Sequence, residues 1–267
     1  MCPLPFLSGL FHGCVETGTD ITMDGSVLKD KGYFFGTAVE TVNALAAIKQ
    51  TVFIKKEYSL RQIYKACENN FAENEIMRQK LWNVPKWGNN DDFVDSLGKE
   101  LLEFCCREVR KFKTVSGGSH LAGIHQPHPV PTGRDLMATP EGRKKGMPVA
   151  VTLTPESGTA EKGPTAILQS AAKINYLAYQ WNFCVMVNYF SSTFSEGGAD
   201  TLECLIRTYF RIGGTQHQPN IADVKALRAA QKNPEQYQDL IVRLWGVSAH
   251  FVNLPAELQE ELISRFS

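Results

Sequence analysis

Two short stretches near opposite ends of the sequence carry residue types that could do chemistry. The first is HGCVETG, residues 12–18, in which Cys14 and Glu16 stand two positions apart between glycines. In an extended loop, side chains at i and i+2 point the same way, so the thiol and the carboxyl group could share one pocket. Glu16 would raise the thiol pKa, which disfavours thiolate chemistry. The pair suits a neutral sulfur that exchanges a hydrogen atom beside a carboxylate that moves a proton, and the alternative is a structural loop cysteine.

The second stretch is RLWGVSAHF, residues 243–251, where Gly246 stands between a strand-like run and a terminal helix. A glycine at such a place is typical of a turn, and taken alone the turn is the favoured interpretation.

Two further sets of residues could do chemistry, and both have a simpler interpretation. His120, His125 and His128 suit no metal site, because their spacing matches no helix face and no carboxylate or thiolate is near; hydrogen-bonded loop histidines are favoured. Cys105 and Cys106 are adjacent within a predicted helix, so their side chains face different directions, and ordinary packing is favoured over a redox pair. No C-x-x-C pair occurs, and we expect neither a bound metal nor a bound cofactor.

Composition excludes several classes of protein. The 267 residues include 28 basic and 28 acidic side chains, so no net charge indicates a nucleic-acid or anionic membrane partner. No apolar run approaches the ~18 residues of a membrane span, and the first residues lack the pattern of a signal peptide. We therefore expect a cytoplasmic protein with no nucleic-acid or membrane partner.

Hydrophobic spacing and capping residues predict α/β packing, in which helices alternate with a few buried strands. The stretches 1–36 and 113–148 are expected to be irregular and rich in turns. Asp91 or Asp92 is expected to cap the longest helix, and Asp200 another. Helices are predicted at 37–54, 59–71, 74–83, 91–113, 163–174, 198–214 and from Pro255 onward. The stretch 222–240 is predicted as a helix followed by a turn, and strands are predicted at 181–190, 215–221 and 240–245.

Several motifs occur in a fixed order along the chain. PFLSGLFHGCVETGTDIT is followed by GNNDDFVDSLGKELLEF, ATPEGRKKGMP, GTAEKGPTAILQSAAKI and the long stretch 223–266 that contains Gly246. In this order they resemble the glycyl radical enzymes, the pyruvate formate-lyase-like superfamily, and specifically its C-terminal third. The pattern Cys-x-Glu resembles the eliminase and decarboxylase branch, which includes dehydratases.

The resemblance implies a fold and a radical mechanism. The chain would form part of a ten-stranded α/β barrel, with the end of the barrel domain at 1–148 and a glycyl radical domain at 149–267. It implies that Gly246 stores a radical on its α-carbon and that Cys14 forms the thiyl radical that takes a hydrogen atom from substrate. Glu16 would be the general acid or base, with its pKa raised toward neutrality by burial. The strands at 181–190 and near 215–221 would either line the barrel interior or pack as ordinary strands.

The resemblance also implies partners and conditions. A radical S-adenosylmethionine activating enzyme would install the radical, so the chain itself would bind no cofactor. A small-molecule substrate, a homodimer and an oxygen-sensitive, anaerobic reaction are expected. Trp245 and Val247 depart from the family pattern of a small residue before the radical glycine and an aromatic after it. The chain is a third of the family length, so we expect it to need a polypeptide carrying the first half of the barrel.

Three alternatives to a radical lyase stay open at this point. Acyl transfer, as in formate C-acetyltransferase, would need a second cysteine where Val15 stands. A non-catalytic subunit that only supplies a radical would not need the cysteine loop. An inactive remnant would explain the changes beside Gly246.

Overall fold

Four parallel strands separated by helices form the frame of the structure, a computed structural model that describes residues 2–176, 183–190, 197–244 and 246–265. The helices are α1 Pro5–Ser8, α2 Cys14–Thr17, α3 Ala38–Ile48, α4 Leu60–Glu68, α5 Glu75–Trp82, α6 Asp92–Val109, α7 Pro129–Asp135, α8 Gly163–Ala172, α9 Gly198–Arg211, α10 Val224–Lys232 and α11 Ala256–Ser264. The strands are β1 Lys31–Phe35, β2 His120–Ile124, β3 Val185–Phe190, β4 His217–Ala222, β5 Ile241–Arg243 and β6 Ser248–His250.

The parallel strands are neighbours in chain order. β1 pairs with β2, and β3 pairs with β4. An isolated parallel bridge between Ile124 and Phe183 joins the end of β2 to the residues before β3. Each connection between two successive parallel strands contains at least one helix, as parallel pairing requires. The α/β class is therefore confirmed, and within the described residues the four strands form an open row that does not close into a barrel.

The predicted helix starts mostly agree with the structure because they depend on local hydrogen bonds. Ser59 forms a capping box with Gln62 at the start of α4, and Asp91 accepts the backbone N–H of Phe93 at the start of α6. Asp200 was wrong as a cap: α9 is preceded by Gly197 in the left-handed region, and Asp200 lies inside the first turn. The predicted strand at 181–190 starts at Val185, and its residues 181 and 182 lie outside the described residues.

Three strands were not predicted from the sequence: β1, β2 and the short β6. β1 and β2 lie in the stretches that we expected to be irregular, 1–36 and 113–148. Each contains a glycine, Gly32 or Gly123, and neither alternates cleanly between polar and apolar residues. Four of the five residues of β2 are buried, so its apolar run has the character of a strand covered on both faces. Pairing between distant segments, not local pattern, makes these residues strands.

The main hydrophobic core lies where α3, α6 and α8 cover the parallel strands. Trp87 is at its centre: its indole N–H donates to the carbonyl of Leu153 at 2.9 Å, and its backbone N–H donates to Asn43 at 2.8 Å. A second, separate core joins α10, the β5–β6 hairpin and α11 through residues such as Leu227, Val242 and Phe251. The hairpin that carries Gly246 therefore packs on a small core of its own. No helix in the described part of the chain has both the length and the apolar character of a membrane span.

The packing of α6 on Trp87 gives the first testable prediction. A Cβ at Gly98 would lie 2.8 Å from a ring carbon of Trp87. Overpacking costs about 1–3 kcal/mol, which outweighs the gain of about 1 kcal/mol when alanine replaces a helical glycine. We expect Gly98→Ala to lower the free energy of unfolding by up to about 2 kcal/mol in urea denaturation. Ser96→Ala, at an exposed position of the same helix, is the control. A Gly98→Ala variant more stable than the parent would contradict this packing.

Candidate functional site

The loop around Cys14 is held by one carboxylate. Asp20 accepts hydrogen bonds from the backbone N–H of Leu4, the hydroxyl of Ser8, and both the backbone N–H and the hydroxyl of Thr22. The hydrogen bonds from Thr22 contribute most to lowering the pKa of Asp20, which falls to about 2. Asp20 is therefore ionised at neutral pH and fixes the two ends of the loop against each other.

Cys14 is the first residue of α2, and it is only 3% exposed. The chain enters this turn through Gly13, whose φ is 96°. A Cβ there would lie 2.8 Å from the carbonyl oxygen of Gly25, so both the conformation and the close approach require glycine. Val27 donates its backbone N–H to the carbonyl of His12 at 2.8 Å, which closes the loop beside the thiol.

Glu16 differs from the sequence prediction in two ways. α2 is a helical turn and not an extended loop, so side chains two positions apart point in different directions, and Glu16 is exposed where Cys14 is buried. The carboxylate accepts the backbone N–H of Gly13 at 2.8 Å. Hydrogen bonds from the backbone N–H groups of Glu16 itself and of Gly13 lower the pKa of Glu16. The expectation that burial raises this pKa was wrong for the present conformation, because the carboxylate caps its own turn in solvent.

Gly246 lies in the turn of the β5–β6 hairpin. Its φ is 91°, in the region that favours glycine, and the residue is exposed. The turn is closed by a hydrogen bond from the backbone N–H of Leu244 to the carbonyl of Val247 at 2.8 Å. Trp245 lies outside the described residues. The turn interpretation of this glycine is therefore confirmed as its conformational role.

The structure does not bring Cys14 and Gly246 into contact. A Cβ built on Gly246 meets no atom of the described residues within 4 Å. Cys14 lies on the N-terminal loop, whose described hydrogen bonds join residues 4–31 to one another and to residues of the segment 114–124, and none of them reaches the hairpin. Two of the predicted site residues thus share one turn, and the third lies apart on the second core.

Sequence reasoning missed a cluster of buried ionisable residues. Glu40, Glu141 and Glu156 are each at most 4% exposed, and Lys86 and Arg143 are buried beside them. Each of the three carboxyl groups has one oxygen that accepts a hydrogen bond and one buried oxygen without a partner among the described residues. In the sequence, Glu40 lies in the predicted helix 37–54 and the other four residues lie in polar segments with glycine or proline, and neither context indicates that these charges are buried.

Desolvation governs this cluster. It raises the pKa of Glu40 to about 8, with repulsion from Glu156 adding to the shift, and it also raises the pKa of Glu141 and of Glu156. Burial lowers the pKa of Lys86 to about 8, while its ammonium group donates to three backbone carbonyls. Arg143 is satisfied by the carbonyls and the threonine hydroxyl of its own loop, 133–147. The cluster pins the segment after residue 138 to α3.

The cysteines and histidines named in the sequence analysis, apart from Cys14, lie in surroundings typical of structural roles. All seven cysteines are free thiols, and burial raises the pKa of Cys106 to about 12, which disfavours its thiolate. His120 packs edge-on against Tyr33 at 4.8 Å, and His125 packs against Phe34 at 5.1 Å. Among the described residues, no three His, Cys, Asp or Glu side chains are placed to share a metal ion.

Two family models match separate parts of the chain. A family model described as pyruvate formate lyase-like matches residues 1–130, and one described as glycine radical matches residues 149–252. Trans-4-hydroxy-L-proline dehydratase of Clostridioides difficile is 34% identical over 98% of this chain, and (2S)-3-sulfopropanediol dehydratase of Klebsiella oxytoca is 33% identical over 98%.

Solved structures show the same similarity. The glycerol-bound B12-independent glycerol dehydratase of Clostridium butyricum superposes on 99% of this chain with a TM-score of 0.92 and 35% identity. The chain covers 34% of that protein and 34% of the hydroxyproline dehydratase. It therefore spans about a third of the length of the relatives that it matches, and the named relatives are dehydratases and lyases.

The buried cluster gives a prediction about pH. The pKa of Glu40 is about 8 in the folded chain, against an ordinary glutamate value of 4.5 that applies to the unfolded chain. The folded state therefore binds more protons, so this contribution to stability is fully present below pH 4.5 and is lost as the pH rises toward 8. Glu40→Gln keeps an oxygen for the backbone N–H of Ala150 and removes the titration. We expect the variant to gain about 1.4 kcal/mol of unfolding free energy over the parent for each pH unit between these values.

Urea denaturation at several pH values checks this expectation. Glu73→Gln, at an exposed position, serves as the control and should follow the parent. A difference between Glu40→Gln and the parent that does not change with pH would show that Glu40 is ionised in the folded chain.

Proposed function

The chain belongs to the glycyl radical enzyme family, and we propose that it forms the C-terminal, radical-bearing portion of a lyase of the dehydratase type. The observation that carries the proposal is that one chain, similar along its length to dehydratases, contains both a buried cysteine loop and a glycine hairpin. The finer division is proposed at residue 148: residues 1–148 complete a ten-stranded barrel, and residues 149–267 form the glycyl radical domain. The ranges of the two family models support this boundary.

The proposed reaction gives separate roles to Gly246, Cys14 and Glu16. An unpaired electron on the α-carbon of Gly246 is delocalised between the neighbouring amide nitrogen and carbonyl, and an exposed glycine leaves that carbon open to an activating enzyme. The carbon takes the hydrogen atom of the Cys14 S–H, so that the C–H bond re-forms and the radical passes to sulfur. The sulfur then takes a hydrogen atom from substrate. Glu16 accepts a hydroxyl proton as the neighbouring group leaves, once its bond to the N–H of Gly13 is broken.

The proposed transfer needs an assembly larger than this structure. Around the cysteine loop, large apolar side chains are exposed, among them Phe6 at 85%, Leu10 at 69% and Leu28 at 78%. Exposed apolar area of this kind marks an interface, and the open edge of β1 offers unpaired backbone groups beside it. The proposed occupant is the first half of the barrel, which encloses the loop and shields Glu16 from water.

The remaining partners belong to the same proposal. A radical S-adenosylmethionine activating enzyme removes the hydrogen atom from Gly246, and a small-molecule substrate with a leaving group beside a hydroxyl binds in the completed barrel. The proposal also includes homodimerisation, a cytoplasmic location and an anaerobic, oxygen-sensitive reaction.

A second candidate function is a subunit that only supplies a radical. It is favoured by one observation, the separate hydrophobic core under the hairpin, which lets residues 222–265 hold together without the barrel. Acyl transfer has no such support, because Val15 stands where a second cysteine would be needed.

The radical site is tested by anaerobic electron paramagnetic resonance after incubation with a radical S-adenosylmethionine activating enzyme. We expect a doublet from one α-proton and, after brief exposure to air, cleavage near Gly246 detected by mass spectrometry. Gly246→Ala should abolish both. Gly158→Ala is the matched control, since Gly158 also has a positive φ, 79°, and open space for a Cβ. A doublet that persists in Gly246→Ala, or no doublet while a relative is activated in parallel, would contradict the proposal.

Communication between sulfur and glycine is tested in D2O. Because a thiol exchanges its hydrogen with water, transfer through Cys14 would place deuterium on Gly246 and collapse the doublet to a singlet. We expect the collapse only when a polypeptide carrying the first part of the barrel is added, since nothing described lies within 4 Å of a Cβ on Gly246 in this chain. Cys14→Ser should prevent it, and Cys184→Ser, at another buried thiol, should not. A collapse that survives Cys14→Ser would exclude Cys14 as the relay.

A further inference from the structure

Three amide side chains line one face of the β3–β4 pair. Gln218 and Asn220 are two positions apart on β4, so they point the same way, and the parallel register sets Asn188 of β3 opposite Asn220. Asn220 is 7% exposed. Polar side chains in a buried parallel pair are unusual and need partners, since an unsatisfied buried amide costs stability.

The side chains of Gln218, Asn220 and Asn188, here called the amide row, form a chain of hydrogen bonds in which each amide donates to the next. Gln218 donates both amide hydrogens, to the side-chain oxygen of Asn220 at 2.9 Å and to the carbonyl of Leu244 at 2.6 Å. Asn220 donates to the side-chain oxygen of Asn188 at 3.1 Å, and Asn188 donates to the carbonyl of Arg265 at 3.1 Å. The row therefore joins the parallel strands to the hairpin at one end and to the end of α11 at the other.

The bond to Leu244 lies next to the proposed radical glycine. The carbonyl of Leu244 accepts the Gln218 amide and also the backbone N–H of Gly246, at 3.1 Å. Leu244 itself is buried in the second core, and its N–H closes the turn on Val247. The position of this one carbonyl therefore sets the position of the peptide that carries Gly246.

The described links that join α10, the hairpin and α11 to the rest of the chain also include the Arg134–Glu257 ion pair between α7 and α11 at 2.6 Å, which is exposed and therefore weak. The hairpin packs on α10 and α11, and Ala222 at the end of β4 touches the same cluster. Between β4, α10 and β5 lies a cavity of about 220 Å³ whose lining includes Asn188, Asn220 and Val242. A polar link across such a cavity can open without uncovering the main core, because the hairpin keeps its own core when it moves.

We propose that Gln218 is a positioning residue and that the amide row is the latch that seats the Gly246 hairpin on the parallel strands. The latch rests on the proposed function only in that Gly246 carries the radical. Seated, the hairpin holds Gly246 at a fixed place relative to β4. Released, it presents the glycine to an activating enzyme while α10, the hairpin and α11 stay together.

Hydrogen exchange on the full 267-residue chain tests the latch. Gln218→Met keeps the side-chain length and removes the donors; Gln218→Glu keeps length and polarity, and its ionised carboxylate cannot donate to Leu244. We expect the hydrogen-bonded amides of Leu244 and Gly246 to exchange about tenfold faster in both variants, which corresponds to the loss of roughly one hydrogen bond. Exchange in α10 and in the main core should stay unchanged. Gln216→Met, at an exposed position just before β4, should match the parent.

Two outcomes would overturn the proposal. Unchanged exchange in the hairpin of either Gln218 variant would show that the amide bond to Leu244 does not hold it. Equally faster exchange across residues 197–265 would show a general structural role. Electron paramagnetic resonance on the same activated samples separates the two proposals: a missing doublet in the unsubstituted chain counts against the radical function, whereas the exchange data alone judge the latch.

Discussion

The rest of the structure depends on two hydrogen bonds made by the side chain of Asn43. It lies fully buried on α3, accepts the backbone N–H of Trp87 at 2.8 Å and donates to Glu156 at 2.9 Å. One amide thus ties three segments that are distant in sequence, and both of its bonds are made in a medium where leaving either partner alone is costly. The connection of α3 to the segments that contain Trp87 and Glu156 is fixed at this point, and the buried glutamates around it make this connection sensitive to protonation.

Stability is distributed unequally between the main hydrophobic core and the second core. The main core, with Trp87 inside it, is large and continuous, whereas the hairpin rests on a small core with α10 and α11. Segments with few buried contacts open at lower free energy than segments in a large core. Under the proposed function, the radical on Gly246 is made in an activating enzyme and used at another place, so a hairpin that moves with its own core attached fits that proposal. The division of the core, rather than any single residue, allows it.

Local rules explain why part of this was predictable. Ser59 and Asp91 satisfy N–H groups within three residues, so their caps can be recognised in the sequence alone. β1 and β2 become strands by pairing across about 90 residues, and Glu156 becomes buried by meeting a residue 113 positions away, which no local pattern encodes. Glu16 was misplaced for a related reason. Its distance from Cys14 is right for a shared pocket in an extended loop, but the glycines around it allow a helical turn instead.

The geometry of that turn limits what each of its positions can do. Cys14 is buried, the next residue, Val15, is 71% exposed, and Glu16 caps the turn from outside. Successive helical side chains point about 100° apart, so a thiol in place of Val15 would not face the surroundings of Cys14. Moving Glu16 toward a substrate requires breaking its hydrogen bond to the backbone N–H of Gly13. By the same geometry Glu16, two positions from Cys14, points about 200° away from it, so its proposed role requires the side chain to swing around the turn as well as to change its hydrogen-bond partner.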